Sequence, residues 1–155
     1  MLLLPFALAL PAATPVRPVD EAALASLLRS THPGPLMVNF FATWCAPCAA
    51  ELPMLQTVVI AHPGATAIFV SLDALGDAQR VQELVDRTGL LSPVVHLQAK
   101  DPAGTMLRVV PDWPERIPVT MVIRPDGKEA TRFVGVVTAS QLSPVLQSFE
   151  TVPAP

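Results

Sequence analysis

The chain has 155 residues, of which 51% are hydrophobic, and a formal net charge of −3 at pH 7. This length and apolar content suit one domain with a sizeable core. The negative net charge, with no cluster of basic residues, argues against a surface that binds nucleic acid.

The first 13 residues form an apolar run that ends in small residues. The run is too short and too often interrupted by proline to predict a transmembrane helix. It is typical of the later part of a secretory signal, although no Lys or Arg precedes it. We expect a targeting segment at 1–13, and a strand or loose tail of a cytosolic protein is the alternative. Residues 14–19 are predicted to form a linker.

Two elements precede and deliver the most informative stretch of the chain. A helix is predicted over Glu21–Arg29, with Asp20 as its N-cap. Leu36–Phe41 is then a continuous apolar run broken only by Asn39, which is typical of a strand buried on both faces. Another helix should follow directly, because Pro47 suits a first helical turn, where its missing N–H is not needed.

The rest of the chain alternates helix and strand until a hairpin near the C-terminus. A helix between two apolar strands predicts a right-handed crossover and a parallel pair. His96 is expected to be a half-buried strand residue. The predicted elements are a strand over 65–72, a helix from about Asp77 to Thr88 closed by Gly89, a short strand over 94–97, a short helix within 101–109, strands over 119–124 and 130–137 joined by a turn at 125–127, and a last helix from Thr138 to Phe149.

Cys45 and Cys48 are the only cysteines, and Ala46 and Pro47 separate them. Cys45 is predicted to lie at a helix N-terminus, where unpaired N–H groups and the helix dipole stabilise a thiolate and lower the thiol pKa. Cys48, about one turn inside the helix, should be more buried and less reactive. The pair can serve as attacking and resolving thiols in disulfide exchange.

Four other roles for the two sulfurs remain open at this point. A structural disulfide is one, although closing so short a loop removes little chain entropy. A zinc site is another, but His32, His62 and His96 show no ligand spacing relative to the cysteines. The pair could also be inert core cysteines, or could bind copper together with a histidine that the fold brings near.

The longer string around the cysteines carries a resemblance. Val38–Cys48, followed by Glu51-Leu52-Pro53, resembles the active-site segment of the thioredoxin superfamily. It is most similar to the extracytoplasmic thiol–disulfide reductases of the TlpA/ResA kind. Trp44 before the first cysteine and Pro47 before the second both match. Pro53 matches a proline that kinks the first helix, because it cannot donate a backbone hydrogen bond there.

The resemblance extends over about residues 20–149. It implies an α/β, thioredoxin-like fold with a central mixed sheet flanked by helices and a short N-terminal extension. Residues 150–155 are then a loose C-terminal end.

The resemblance also implies a set of substrate-binding residues. Pro118, after Ile117, matches a cis-proline that faces the cysteines, and the neighbouring backbone there can pair with an extended substrate. A trans proline that merely starts a strand is the alternative. Trp44 and Pro47 are expected to contact the substrate as well. Trp113 either borders the same face or packs in the core.

A glutamate is the third candidate catalytic residue. Cytosolic thioredoxins carry a buried Asp at the place of Asn39, and Asn cannot take a proton. Glu51 matches a glutamate of the ResA-like proteins, so we expect it to modulate the thiol pKa values and to pass protons to Cys48. The alternative is a solvated glutamate that only stabilises the helix N-terminus.

The sequence as a whole predicts a monomeric thiol–disulfide oxidoreductase in the periplasm or another extracytoplasmic compartment, without a dissociable cofactor or metal. The resemblance favours a reductase of partner proteins, among them apo-cytochrome c or a copper-site assembly protein, with a membrane thiol reductase as electron donor. The pair Ala46-Pro47 does not fix the direction of the reaction. A disulfide oxidase, a copper-handling module and a protein-contact scaffold are the alternatives.

Overall fold

The computed structural model describes residues 14–150, and strand β2 (Leu36–Phe41) lies at the centre of its sheet. All six residues of β2 are buried, as its unbroken apolar run predicts. Strand β3 (Thr66–Ser71) pairs with it in parallel, and strand β5 (Val119–Ile123) pairs with it in the antiparallel direction. The sheet is therefore mixed.

Helices and strands alternate along the described residues up to a hairpin of two strands before the last helix, and all six strands join one sheet in the order β1-β4-β3-β2-β5-β6. The remaining elements are β1 (Val16–Val19), α1 (Glu21–Arg29), α2 (Ala46–Ile60), a short 3₁₀ turn (Leu75–Asp77), α3 (Ala78–Thr88), β4 (Val94–Leu97), α4 (Pro102–Val109), β6 (Glu129–Val134) and α5 (Ala139–Gln147). Strand β4 is parallel to β3 and to β1, and β6 is antiparallel to β5. This is the predicted thioredoxin-like arrangement.

The sheet separates two apolar cores, and the side chains of β2 alternate between them. Met37 and Phe41 belong to the core under α2, α3 and α5. Val38 and Phe40 belong to the core under α1 and α4. Because strand side chains point alternately to opposite faces, Asn39 lies on the same face as Met37 and Phe41. The polar side chain of Asn39 therefore faces α2, the helix at whose N-terminus both cysteines lie.

Strand β1 occupies most of the stretch that the sequence predicts as a linker, so that prediction is wrong for Val16–Val19. The strand pairs in parallel with Val94–Leu97. Pro18 is tolerated because β1 is an edge strand, where a missing N–H interrupts no inner ladder. The Gln82 side chain of α3 holds the strand's start, accepting its first N–H at 2.9 Å and donating to the Thr14 carbonyl at 3.0 Å.

The other predicted elements are present within a few residues of their expected bounds. Asp20 caps α1, because its Oδ1 accepts the N–H of Ala23 at 2.8 Å. Gly89 ends α3 in the left-handed conformation, with φ of 66°, which glycine adopts without a Cβ clash. Local sequence signals thus placed these helix ends correctly.

Three predictions need correction in detail. Strand β6 ends at Val134 rather than at 137, because the chain turns at Gly135 with φ of 90°. Helix α5 ends at Gln147 rather than at 149. His96 is fully buried rather than half-buried, and its Nε2–H donates to the carbonyl of Asp73 at 3.1 Å.

The predicted targeting segment at 1–13 and most of the predicted loose end, 151–155, lie outside the described residues. Among the helices of residues 14–150, none has the length and apolar character needed to span a bilayer.

Candidate active site

Cys45 and Cys48 form a disulfide bond at the N-terminus of α2, with an S–S distance of 2.09 Å. Cys45 is the N-cap residue of the helix, and its sulfur accepts a hydrogen bond from the N–H of Cys48 at 3.4 Å. Cys45 keeps 8% of its surface exposed, whereas Cys48 has none. Cys45 is therefore the more accessible of the two cysteines to a group from another molecule. The structure brings the two predicted thiols together in the predicted order of accessibility.

Two prolines shape the helix that carries this disulfide. Pro47 occupies the first turn of α2, as the sequence predicts, and is exposed beside the two sulfurs. Pro53 lies inside the helix, where its missing N–H leaves the carbonyl of Ala49 without the usual helical donor. The helix nevertheless runs unbroken to Ile60. Its first turn thus stays attached to a long element that packs on the sheet.

A groove of about 360 Å³ borders Trp44, whose side chain is 68% exposed. We call it the Trp44 groove. Ile117 and Trp113 line the same groove, so two of the four predicted substrate-binding residues, Trp44 and Ile117, lie together there. Its lining consists of Trp44, Leu72, Pro102, Ala103, Trp113, Glu115, Arg116 and Ile117. The groove is mostly apolar and carries one charge of each sign.

The peptide bond between Ile117 and Pro118 is cis, as predicted. Pro118 itself is buried, and its carbonyl accepts the N–H of Gly135 at 2.8 Å. Neither Pro118 nor Pro47 lines the Trp44 groove. It stays a prediction that a substrate contacts Trp44, Pro47, Ile117 and Pro118.

Trp113 has both of the roles that the sequence left open. Its ring packs edge-on against Phe40, with 5.1 Å between ring centroids and 74° between ring planes. The side chain is 6% exposed and belongs to the core under α1 and α4. Trp113 is therefore a core residue whose remaining surface forms part of the groove wall.

Glu51 is buried on the face of α2 that packs on the sheet, and only 4% of it is exposed. Its Oε1 accepts the side-chain N–H of Asn39 at 3.0 Å, and its Oε2 accepts the backbone N–H of Val137 at 3.1 Å. Asn39 also donates to the hydroxyl of Thr120 at 3.0 Å. The alternative of a solvated first-turn glutamate is therefore wrong. Since Glu51 follows Cys48 by three residues, both lie on one face of the helix.

Burial raises the pKa of Glu51 above its ordinary value of 4.5, because a carboxylate loses water in this site. The hydrogen bonds from Val137 and Asn39 oppose this effect by stabilising the charged form, and they lower the pKa less than burial raises it. Glu51 is thus a buried carboxyl group that holds its proton to higher pH than an exposed one. Such a group suits proton transfer.

Glu51→Gln is expected to change how stability depends on pH. Between the ordinary and the raised pKa, the folded protein binds a proton that the unfolded chain does not, so stability falls as pH rises through this window. Gln cannot ionise. Any change in stability caused by its buried amide is the same at every pH, so it does not alter the slope of stability against pH. Urea unfolding of both oxidised proteins from about pH 4 to about pH 8 should show the steeper decline in the wild type. Parallel profiles would contradict the raised pKa.

Sequence reasoning missed a second buried carboxyl group close to the cysteines. Asp73 follows β3 and is completely buried, and it accepts hydrogen bonds from the N–H and the hydroxyl of Thr43. One sequence signal was available: an Asp directly after an apolar strand, at the edge where the neighbouring strand delivers Cys45.

The histidines do not gather around the disulfide. His62 contacts Glu150 and Ser143, at 2.9 Å and 2.6 Å, and His96 contacts the backbone of Asp73. Within residues 14–150, no three His, Cys, Asp or Glu side chains come together as a candidate metal site. A larger cavity of about 950 Å³ lies between α1, α2 and the start of β3, and it holds none of the predicted site residues.

Comparison with known protein families agrees with this geometry. The family model described as the AhpC/TSA family, whose fold is thioredoxin-like, matches residues 20–129. This chain belongs to the AhpC/TSA family. The match contains the disulfide, Glu51 and the cis-proline, whereas β1 and α5 lie outside it. The predicted membership of the thioredoxin superfamily is confirmed.

One relative carries the name of a thiol–disulfide oxidoreductase. The chain is 33% identical over 109 residues to the thiol–disulfide oxidoreductase ResA of Oceanobacillus iheyensis, covering 69% of this chain and 53% of that protein. It therefore spans about half the length of that relative.

Among solved structures, the thiol:disulfide interchange protein of Chlorobium tepidum has a TM-score of 0.63 at 21% identity, covering 91% of this chain and 99% of that one. A secreted disulfide oxidoreductase of Mycobacterium tuberculosis has a TM-score of 0.60 at 22% identity, covering 76% and 84%. At these identities, the structural likeness shows the fold.

Proposed function

We propose that this protein is a thiol–disulfide oxidoreductase that reduces disulfide bonds of partner proteins outside the cytoplasm. One observation carries the proposal: Cys45, which is slightly exposed, caps a helix, is bonded to the buried Cys48 one turn inside, and directly follows Trp44, which lines an apolar groove. A purely structural disulfide does not need one accessible and one buried cysteine. The loop that this disulfide closes is also so short that closing it contributes little stability. The name of the ResA relative supports the activity, and the targeting segment predicted at 1–13 supports the compartment.

The reaction transfers two electrons from the reduced pair to the partner. The Cys45 thiolate attacks one sulfur of the partner's disulfide, so that bond breaks and a mixed disulfide forms, and the departing partner thiolate takes up a proton. Cys48 then loses its proton and attacks the Cys45 sulfur. The second partner thiol leaves, and the bond between Cys45 and Cys48 is restored. A membrane thiol reductase would supply two electrons and two protons to reset the pair.

Glu51 would accept the proton of Cys48 in the second step. Its carboxyl group is buried one helical turn after Cys48, and its raised pKa suits it to hold and release a proton without contact with bulk water. Titrating both thiols in Glu51→Gln is expected to give curves displaced from those of the wild type. Superimposable curves would remove Glu51 from the mechanism.

The specific partners are proposed from the sequence resemblance. Apo-cytochrome c cysteines and a copper-site assembly protein are the expected substrates, and the Trp44 groove suits an extended segment with an apolar side chain. A copper-handling module predicts instead that the reduced protein captures Cu(I) tightly and exchanges disulfides slowly. Competition with a Cu(I) chelator, run beside disulfide exchange, separates these two functions.

The equilibrium potential of the Cys45–Cys48 pair against glutathione tests the proposed direction. We expect a value well below the glutathione couple, nearer the roughly −270 mV of thioredoxin than the roughly −120 mV of a strong oxidase. Alkylation and mass measurement of samples equilibrated at graded glutathione ratios give the potential directly. A value well above the glutathione couple would identify an oxidase, and a pair that never equilibrates would contradict exchange altogether.

A further inference from the structure

Asp73 lies at the edge of the sheet where the parallel strands β2 and β3 end and the loops after them begin. Strands β2 and β3 are neighbours and run parallel, so both loops leave from the same end. The loop after β2 leads to Cys45, and the loop after β3 carries Asp73. The backbone joins the two loops as well, because the N–H of Leu72 donates to the carbonyl of Phe41 at 2.8 Å. Asp73 is thus built into the support of the cysteine loop.

The loop that Asp73 holds is a tight turn. The N–H of Cys45 donates to the carbonyl of Ala42 at 3.1 Å, which makes Thr43 and Trp44 the two central residues of a β-turn. Thr43, the first of them, gives both of its donors to Asp73. Its N–H lies 3.1 Å from Oδ1 and 3.0 Å from Oδ2, and its hydroxyl lies 2.5 Å from Oδ1. One carboxyl group therefore fixes the conformation of the turn.

The second central residue, Trp44, has no comparable support. Its side chain is 68% exposed, so its direction depends on the backbone of the turn. Leu72 also lines the Trp44 groove. It lies between Ser71 and Asp73 in the sequence, and the Ser71 hydroxyl donates to Oδ2 of Asp73 at 2.7 Å. Asp73 therefore bonds to the immediate chain neighbours of two groove residues, Trp44 and Leu72.

The donors also explain how Asp73 can be buried completely. Burying a carboxyl group is costly unless hydrogen bonds replace the lost water. Thr43 and Ser71 supply that replacement, and His96 adds a bond to the Asp73 carbonyl. Several hydrogen bonds thus converge on one buried residue, and a fully bonded buried network of this kind restricts the movement of Thr43. Thr43 lies one residue from Trp44 and two residues from Cys45.

We infer that Asp73 is a positioning residue: acting through Thr43, it fixes the Ala42–Cys45 turn so that Trp44 presents its ring to polypeptide substrates. It would therefore govern how well the protein distinguishes protein disulfides from small ones. This inference rests on the proposed thiol–disulfide exchange, and it assigns to Asp73 no contact with the reacting sulfurs. A small aliphatic disulfide does not need the Trp44 ring, whereas a folded or extended polypeptide does.

Thr43→Val tests the inference, because it removes the hydroxyl bond to Asp73 and keeps the branched shape and the backbone N–H. Pre-reduced protein is mixed with insulin or with hydroxyethyl disulfide, and its oxidation is followed by acid quench and alkylation. We expect the second-order rate constant with insulin to fall about three- to tenfold and that with hydroxyethyl disulfide to stay within about twofold, as the loss of one bond of this kind allows. Thr43→Ser, which keeps the hydroxyl, should restore the insulin rate.

Thr88→Val is the matched control. Thr88 is also half-buried, and its hydroxyl donates to the Leu84 carbonyl at 2.8 Å. It lies at the end of α3 that leads back to the start of β4, away from the edge that carries the disulfide. Both rate constants should be unchanged in this variant. A selective loss of the insulin rate here would overturn the inference.

A double variant tests the route through Trp44. If Thr43 acts by orienting Trp44, then Trp44→Ala should cause the same selective loss, and Thr43→Val should add little to it. Additive losses, or equal losses with both disulfides in Thr43→Val, would overturn the inference while leaving the proposed function intact. A wild-type protein that oxidises with neither disulfide would instead overturn the proposed function itself.

Discussion

Cys45→Ser is expected to reduce disulfide exchange to the uncatalysed background. The other sulfur cannot replace it, because Cys48 is completely buried whereas Cys45 retains an exposed surface. Serine at this position is a poor nucleophile near neutral pH, since its hydroxyl is not ionised and cannot form a disulfide. The loss should exceed about a hundredfold in the insulin assay, given how strongly the reaction depends on an attacking thiolate.

Cys48→Ser should behave differently from Cys45→Ser. The attacking thiol remains, so a mixed disulfide with the partner can form, but no second thiol is present to resolve it. Non-reducing electrophoresis should show a stable covalent complex with insulin in Cys48→Ser and none in Cys45→Ser. Complexes trapped by Cys45→Ser instead would reverse the assigned roles. Ala46→Ser, an exposed change between the two cysteines, serves as the control and should leave turnover intact.

Phe40→Ala is expected to cause the largest loss of stability. Phe40 is fully buried on β2, at the centre of the sheet, and its ring packs edge-on against Trp113. Removing a buried aromatic side chain costs the transfer free energy of its atoms and leaves a cavity, together about 3–5 kcal/mol. Urea denaturation of the oxidised protein measures the free energy of unfolding.

The same change should also weaken substrate binding, because Trp113 forms one wall of the Trp44 groove. Leu91→Ala is the control, since Leu91 is 62% exposed and exposed substitutions usually change stability by less than about 0.5 kcal/mol. A double-mutant cycle that combines Phe40→Ala with Trp113→Leu isolates the contact between the two rings. We expect a coupling free energy of about 0.5–1.5 kcal/mol for this contact. Equal losses of stability in Phe40→Ala and Leu91→Ala would contradict the buried packing of Phe40 against Trp113.

Local patterns in the sequence were sufficient for most of the fold. The apolar run of β2 predicts a doubly covered strand, and the structure buries every one of its residues. Pro47 and Gly89 mark a helix start and a helix end for reasons that involve only their own backbone. Cys45 and Cys48 lie three residues apart at the start of a helix, and this spacing predicts that they can form a disulfide. These features need no knowledge of distant segments.

Features that depend on distant segments could not be predicted in the same way. Strand β1 exists because Val16–Val19 pairs with the open edge of β4, more than seventy residues later, whereas Pro15 before it and Pro18 within it suggest a linker. The burial of Glu51 depends on Asn39 and on the backbone of Val137, 86 residues away. Asp73 shows its role only when β2 and β3 lie side by side. In each case the decisive partner comes from another element of the folded chain, which the local sequence does not specify.

The unequal exposure of the two tryptophans gives the protein an intrinsic optical readout. Trp44 is 68% exposed and precedes Cys45 directly, whereas Trp113 is only 6% exposed and packs against Phe40. A disulfide quenches the emission of an adjacent indole, so opening the Cys45–Cys48 bond should brighten the red-shifted fraction of the spectrum and leave the blue-shifted fraction nearly constant. The ratio of the two would report the oxidation state in real time without any added dye.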